Sequence, residues 1–392
     1  MTTLNSSHET LKISQPNISS HLPILDSLRG IAALYVVLVH AEQIVAPDYE
    51  QIPSFLKNIL GLFAFGHYSV DLFIVLSGFC LMLPVLRNGG FLRSSLKSFF
   101  LRRAQRILPP YYAALVLSIG ILLTLVSVPG KGLGMLAFPI TTENILTHIF
   151  LIHDLFRSDV LKINSPLWSI SVEWRIYFLF PLFLWAWRKW GGWKTVITTS
   201  GLSYLLFSIL YKLPSFNSGA NGPSIHYLGL FTLGMLAAEI VFIESDWHKA
   251  LIHHIPWTLT AFVCILFAIP SYQMIHAGGR TWVLADLIVG IASFSLLIAT
   301  ASFKHHPLNK ILNWNPLVKI GGFSYSLYLI HMPLLQVFLQ YVCQPLQLSP
   351  SLEICAVVFV GVPMIVAVSY IFFLAIEKPC LSRRGSTVAS RI

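Results

Sequence analysis

Ten runs of about 20 apolar residues, set off by short basic clusters, decide what this chain can fold into. They fall near 29–46, 68–87, 107–128, 174–190, 195–212, 226–243, 251–270, 282–302, 323–343 and 353–377. A helix needs about that length to cross the roughly 30 Å hydrocarbon core of a bilayer. Inside hydrocarbon the backbone must satisfy its own N–H and C=O groups, which a helix does within one segment. The expected fold is therefore all-α, a polytopic transmembrane helix bundle of about ten spans. Composition agrees: 55% of the residues are hydrophobic and 11% charged, whereas soluble globular chains carry about 25% charged residues.

Lys and Arg are retained on the cytoplasmic side of a membrane, and here they alternate. Arg87, Arg93, Lys97, Arg102, Arg103 and Arg106 follow the second run, and Arg188, Lys189 and Lys194 the fourth. Lys249 follows the sixth, Lys304, Lys310 and Lys319 the eighth, and Lys378, Arg383, Arg384 and Arg391 the tenth. The intervening loops hold few: Lys57, then Lys131, Arg157 and Lys162, then Lys212, then Arg280, then none. An even number of spans with this bias places both termini in the cytoplasm. The net charge of +10 is then a topology signal. Nucleic-acid binding, which needs a contiguous soluble basic face, is excluded as a reading.

Residues 1–22, rich in Ser, Thr and Asn, lack the basic-then-apolar order of a secretory signal and read as a flexible cytoplasmic tail. One membrane domain is expected over 23–380, with a short basic cytoplasmic tail at 381–392. The five cysteines are odd in number and show no CxxC spacing, so neither a disulfide framework nor a metal site follows from them. The stretch 129–170 breaks the rhythm, being Gly- and Pro-bearing and then only briefly apolar through NILTHIFLIHDLF. It is too short to span and is expected to be an interfacial or re-entrant helix on the outer side.

Ionisable residues inside a span are costly and usually face a cavity or a partner. Arg29 and His40 bracket ten apolar residues, GIAALYVVLV. Eleven helical steps bring the second side chain back to within about 20° of the first, about 16 Å along the axis. The pair marks the two ends of one polar track. Histidine, with an ordinary pKa of about 6.5, is the side chain suited to accept a proton at working pH, unless His40 merely bonds a neighbouring helix.

Five further stretches carry polar groups into or against apolar surroundings. Asp71 and Ser77 punctuate SVDLFIVLSGFCL, where Ser77-Gly78 permits close helix approach or backbone access to a ligand. In SFFLRRAQRILPPYY, Arg102, Arg103 and Arg106 gather guanidinium groups suited to phosphate, or anchor the segment at the cytoplasmic face. In NSPLWSISVEWRIYFLFPL, Glu173 either orients His40, binds a polar acceptor, or pairs with Arg175, among the interfacial aromatics Trp168, Trp174 and Tyr177. His331 lies inside the ninth run, as a site residue or a structural one. Glu377-Lys378-Pro379 reads as a helix terminus.

Together these stretches resemble acyltransferase family 3, integral-membrane enzymes that O-acylate surface and secreted carbohydrates. The resemblance runs through LDSLRGIAALYVVLVH, VDLFIVLSGF, FLRRAQRILPPYY, LWSISVEWRIYFLFP, FSYSLYLIH and IEKP, nearly the whole chain. The family's Arg-ten residues-His pattern falls on Arg29 and His40, its Arg-x-x-Arg on Arg103 and Arg106, and its Ser-Gly-Phe on Ser77, Gly78 and Phe79. Departures are Phe73-Ile74 for a frequent Phe-Phe and Glu173-Trp174 for Glu-Glu, the second of which puts a two-carboxylate scheme in doubt. Some relatives continue into an esterase-like domain; only fifteen residues follow Glu377 here, and none is expected.

What the resemblance implies is transfer of an acyl group, most often acetyl, from cytoplasmic acyl-CoA to a hydroxyl of a lipid-linked or extracytoplasmic carbohydrate, in a bacterial inner membrane. Arg102, Arg103 and Arg106, with Ser77 and Gly78, would hold the donor. His40 would deprotonate the acceptor or carry the acyl group itself, with Arg29 steadying a phosphate or the thioester oxygen and Glu173 completing the catalytic set. Asp71, Trp168, Tyr177 and His331 would support the acceptor side, and no metal is called for. The competing readings are a proton-coupled transporter, which usually shows inverted repeats not seen here, and a non-catalytic partner of polysaccharide assembly.

Overall fold

A computed structural model describes residues 22–45, 52–63, 65–126, 137–210, 212, 224–276, 282–303 and 305–382. All but Leu22, Leu381 and Ser382 of the two expected tails, most of the Gly-bearing stretch after 129, and Lys131, Arg280, Lys304, Arg383, Arg384 and Arg391 lie outside the described residues. Described secondary structure is helical throughout, as the apolar runs demand. In chain order the helices are α1 (Pro23–Val45), α2 (Ser54–Leu60), α3 (His67–Leu86), α4 (Leu96–Thr124), α5 (Thr142–Ile149), α6 (Trp168–Trp190) and α7 (Gly192–Leu210). Then come α8 (Tyr227–Phe242), α9 (Asp246–His254), α10 (Trp257–His276), α11 (Trp282–Ser302), α12 (Pro307–Leu312), α13 (Asn315–Gly322), α14 (Ser324–Cys343) and α15 (Pro350–Leu381). The last two contain π-turns, at Leu339–Cys343 in α14 and at Val357–Gly361 and Phe373–Glu377 in α15.

The expectation of ten spans is corrected. Seven described helices are long and apolar enough to cross a membrane, carried by α1, α3 with α2 before it, α4, α6, α11, α14 and α15. An eighth results only if α8 and α9, bent by 105° at their junction, count together. The run at 195–212 forms α7, whose Lys194 and repeated Thr and Ser leave it too polar to qualify. The run at 226–243 forms a helix of only 16 residues, about 24 Å at 1.5 Å per residue and short of the hydrocarbon thickness. The run at 251–270 is cut between α9 and α10, which leaves α9 only nine residues long, and the part of α10 whose side chains are described is Trp257–Pro270. With seven or eight spans the parity argument fails, and the placing of both termini in the cytoplasm no longer follows. What stands is an all-α, multi-pass integral membrane protein.

Glycine sets the closest crossings. A Cβ on Gly78 of α3 would lie 1.9 Å from the Phe231 carbonyl oxygen of α8, and one on Gly234 of α8 would lie 1.9 Å from the Val75 carbonyl oxygen. The two backbones therefore touch, the close approach that small residues permit where lipid offers no hydrophobic drive. A second such crossing joins α1 to α13, where a Cβ on Gly321 would meet the Asp26 carbonyl oxygen at 1.8 Å. Around these contacts Phe79, Tyr111, Phe180 and Phe231 are wholly buried, while α7 and α15 turn Ile197, Leu202, Phe359 and Ile371 outward.

The described part of 129–170 holds α5, eight residues long and too short to span, followed by the 3-10 turn His153–Leu155. It is tied down by polar contacts. The Tyr111 hydroxyl donates to the His148 carbonyl at 2.9 Å, and Asp159, buried beneath α5, accepts from Asn144 at 3.0 Å and Thr147 at 2.7 Å. The His148 and His153 rings stack at 3.8 Å with neither exposed. Burial holds the His148 imidazole down to about 4, and burial and the neighbouring His148 also lower His153.

Replacing Gly78 or Gly234 by Ala is expected to destabilise the protein by about 1–3 kcal/mol, because the obstacle is backbone. Gly120→Ala, with nothing within 4 Å of the new methyl, should leave the melting temperature in detergent unchanged or raise it. Equal losses at all three positions would contradict the close crossing.

His148 gives a pH dependence. An unfolded chain takes up the proton near pH 6.5, the folded one only near 4, so stability should fall as pH drops through that window and level off below it. The contribution is about 3 kcal/mol at most. Melting curves of His148→Gln should show a flatter slope between pH 6.5 and 4 than wild type; an unchanged slope would rule the histidine out as the source.

Candidate active site

A cavity of about 120 Å³ opens where α1, α3, α4, α6 and α14 converge. Helical periodicity explains how α3 reaches it. Val70, Phe73, Ile74 and Ser77 recur at steps of three and four and form the stripe that lines the cavity. Asp71, Val75 and Gly78 form a different stripe, turned to α8 and α11. The adjacent residues Ser77 and Gly78 thus serve separate ends. Ser77 faces the cavity, whereas Gly78 makes the helix crossing.

At one end of the cavity α4 contributes Arg103 and Arg106, and α1 contributes Arg29. Arg29 donates to Asp26 Oδ1 and to Cys80 Sγ, each at 2.9 Å, which fixes its fork against α3. Arg106 interacts electrostatically with Glu377, which is buried and accepts from Ser326. The expected helix-terminus residue is therefore a buried partner of the site. Arg102 points elsewhere, to Ser94 in the loop before α4, so two arginines of the expected three share the cavity.

Glu173 lines the same cavity, and Tyr177, which bonds it, interacts electrostatically with Arg103 and Arg29. Its Oε1 accepts from Ser77 Oγ at 2.8 Å and from the Tyr177 hydroxyl, and those two hydroxyl oxygens are 2.8 Å apart. Two protons are thus shared among three oxygens, an arrangement that can pass one on when an outside acceptor binds. The ion pair considered between Glu173 and Arg175 does not form. Arg175 instead makes a two-pronged pair with the fully buried Asp154, one prong 2.7 Å long, and holds the Leu151 carbonyl at 3.2 Å.

His40 lies one layer beyond this cavity. Its Nδ1 is 2.7 Å from His331 Nε2, with the rings stacked at 5.0 Å. His331 Nδ1 in turn approaches the Tyr328 and Leu327 carbonyl oxygens at 2.8 and 3.2 Å. Carbonyls only accept, so His331 Nδ1 carries a proton and, in a neutral ring, its Nε2 accepts. His40 Nδ1 is then the donor, and its Nε2 keeps a lone pair. The His331 ring packs at 5.8 Å against Tyr328, which lines the cavity and exchanges a 2.7 Å hydrogen bond with Ser169. Glu173 does not touch His40; the partner that orients the ring is His331, whose role the spacing of a lone histidine could not settle.

Asp71 and Trp168 belong to a second polar cluster, on the far side of α3. It contains His67 and Asp71 of α3, Asp286 of α11, and His226 with Tyr227 where α8 begins. Trp168 stacks on His67 at 5.9 Å. No motif announced His67, Asp286, His226 or Tyr227. His67 and Asp71 are four apart on one helix face, the one signal available, but Asp286 comes from a distant part of the chain.

Among known families, residues 22–374 match the one described as an acyltransferase domain. The peptidoglycan O-acetyltransferase of Listeria monocytogenes is 26% identical over 344 residues, covering 80% of this chain and 49% of its own. A putative peptidoglycan O-acetyltransferase of Bacillus subtilis is 24% identical, again over 80% of this chain and 49% of its own. Nodulation protein 10 of Rhizobium leguminosarum bv. viciae is 25% identical over 97% of this chain and 98% of its own. The chain thus spans about half the length of the first two relatives. No solved structure matches it. Since the match takes in every helix that lines the cavity, the chain belongs to acyltransferase family 3, the integral-membrane acyltransferases.

Proposed function

We propose that this protein moves an acyl group, acetyl in the first instance, from cytoplasmic acyl-CoA to a hydroxyl of a lipid-linked or extracytoplasmic carbohydrate. The observation that carries the reading is the order of groups along the interior: Arg103, Arg106 and Arg29 at one end, the Ser77, Tyr177 and Glu173 oxygens beside them, and the His40 and His331 pair beyond Tyr328. The arginine end is taken as cytoplasmic because the charge bias retains Lys and Arg there. Arg188 and Lys189 in the last turn of α6 reach the same end, Arg188 over Phe91 at 4.7 Å. Relatives named as peptidoglycan O-acetyltransferases support a glycan acceptor and an acetyl donor, and their bacterial sources support an inner-membrane location.

Arg103 and Arg106 bind the phosphates of the donor as charge-assisted forks. Arg29, about 16 Å along α1 from His40 and at the same end as these two, grips a further phosphate oxygen of the donor. The lone pair on His40 Nε2 takes the proton from the acceptor hydroxyl as its oxygen attacks the acyl carbon. The new C–O bond replaces the C–S bond, and the thiolate of coenzyme A leaves and is protonated. His331 positions His40 by accepting from its Nδ1, and Glu173 with Ser77 and Tyr177 holds a polar group of the donor or acceptor. A relay in which the acyl group rests briefly on His40 uses the same lone pair.

His40→Ala should remain in the membrane and lose acyl transfer by about 10²–10⁴-fold, the usual range for a general base. Arg103→Ala should raise KM for acyl-CoA with a smaller change in kcat. His331→Ala should lower kcat and move the pH profile, whereas His331→Gln, which can still accept from His40, should restore part of the rate. Labelled acyl-CoA turnover by purified protein, with mass spectrometry of surface glycans, reads all of these. Full glycan acylation in a His40→Ala strain, or no acyl-CoA binding by the purified protein, would overturn the reading.

A further inference from the structure

Behind the cavity wall, three helices bring together side chains that the transfer chemistry leaves unused. Asp71, Asp286 and His226 are wholly buried. His226 Nε2 and His67 Nε2 approach Asp286 Oδ2 at 2.8 and 3.2 Å, and the Tyr227 hydroxyl lies 3.0 Å from His67 Nε2. One ligand atom each from His67, Asp71 and Asp286 fall within 4.8 Å of one another. Oδ1 of Asp286 has no hydrogen-bond partner among the described residues, and the side-chain bond to Asp71 is from the Tyr227 hydroxyl. The ion pairs made by Asp286 among the described residues are with the two histidines only.

Buried carboxylates persist when they are paired, protonated or bound to a metal. Here two point at one spot, with an imidazole at its edge. We propose that His67, Asp71 and Asp286 form a divalent transition-metal site, of the zinc or manganese type, that clamps α3 to α11 beside the start of α8. Two carboxylates balance the charge of one divalent ion and a neutral imidazole completes the donor set. Mixed nitrogen and oxygen ligands favour such ions over magnesium, which prefers oxygen and keeps its water. His226, bonded to Asp286 Oδ2, fixes the orientation of that carboxylate in the way outer partners of metal ligands do. His67, with 18% of its side chain exposed, is the member reached from outside and gives the ion its way in. Because Asp71 and the cavity stripe lie on different faces of α3, the ion holds the helix that forms the wall and takes no part in transfer.

The test uses the whole protein in detergent, stripped with chelator, dialysed and titrated separately with Zn²⁺ and Mn²⁺. Bound metal is counted by inductively coupled plasma mass spectrometry, and Mn²⁺ by electron paramagnetic resonance. The expected result is close to one ion per chain and a melting temperature that rises with added metal. Loss of an outer partner alone costs about 10–100-fold in metal affinity, so Asp71→Asn and Asp286→Asn should each weaken binding by more than about tenfold. If those variants do not fold, His67→Gln at the exposed edge should show the same weakening. Wild type holding no more metal than these variants would overturn the proposal. So would an Asp71→Asn protein that melts higher than wild type in saturating metal, which marks a pair of carboxylates sharing a proton.

Discussion

Hydrocarbon offers no hydrogen bonds, so every polar group drawn into this bundle must find its partner inside the protein. That constraint decides where the helices can touch. α1 places Arg29 against Asp26 of its own helix and Cys80 of α3, while His40, three turns further on, meets His331 of α14. α6 sends Glu173 to Ser77 on α3, and Arg175, two residues later on another face, to Asp154 in the segment that follows α5. α14 ties Ser326 to Glu377 of α15. These contacts fix rotation as well as proximity: turning any one helix by a residue would exchange a paired polar group for an apolar one.

α3 carries most of this. Its cavity stripe and its stripe of Asp71, Val75 and Gly78 are set apart by about 100°, the angle between successive residues. The glycine allows α8 to close on the backbone at that face. Such an approach leaves no room for water, which is why the polar residues beside it, Asp71 and Asp286, are wholly buried. The same contact that seals one polar cluster makes the back wall of the other. A helix packed backbone to backbone resists displacement, and a cavity that must align a donor with an acceptor gains from a wall that does not yield.

Much of the site was legible in the sequence because an ionisable residue in an apolar run is improbable without a use. Arg29, Arg103 and Glu173 were picked out on that ground, Ser77 for its step to Gly78 and Tyr177 as an interfacial aromatic, and the fold collects all five around one cavity. Arg102 differs because it is one helical step, about 100°, from Arg103 and therefore faces Ser94. The span count was not legible, since hydropathy sees runs and not breaks. The apolar stretch from 226 to 270 is divided twice, at Ser245 and at Pro256, which leaves α8 with 16 residues and α9 with nine, both too short to cross. His67, His226 and Asp286 stayed hidden for another reason: each lies at the edge of a run, where a polar residue looks like ordinary interface, and only the crossing of α3, α8 and α11 brings them together.

The His40 and His331 pair shows how a membrane interior can set the direction of a proton. In water either nitrogen of a histidine can carry the hydrogen. Within α14 the carbonyl oxygens of Leu327 and Tyr328 face His331 Nδ1 and can only accept. That fixes one tautomer, which fixes the next through a 2.7 Å contact. The lone pair is delivered to His40 Nε2, the atom farthest from the backbone that imposes the choice. A carboxylate in the place of His331 would also orient His40, but it would add a charge to be neutralised and would hold a proton on the ring more tightly. A second neutral imidazole orients without adding charge, which suits a base that must give its proton up again once the acyl group has moved.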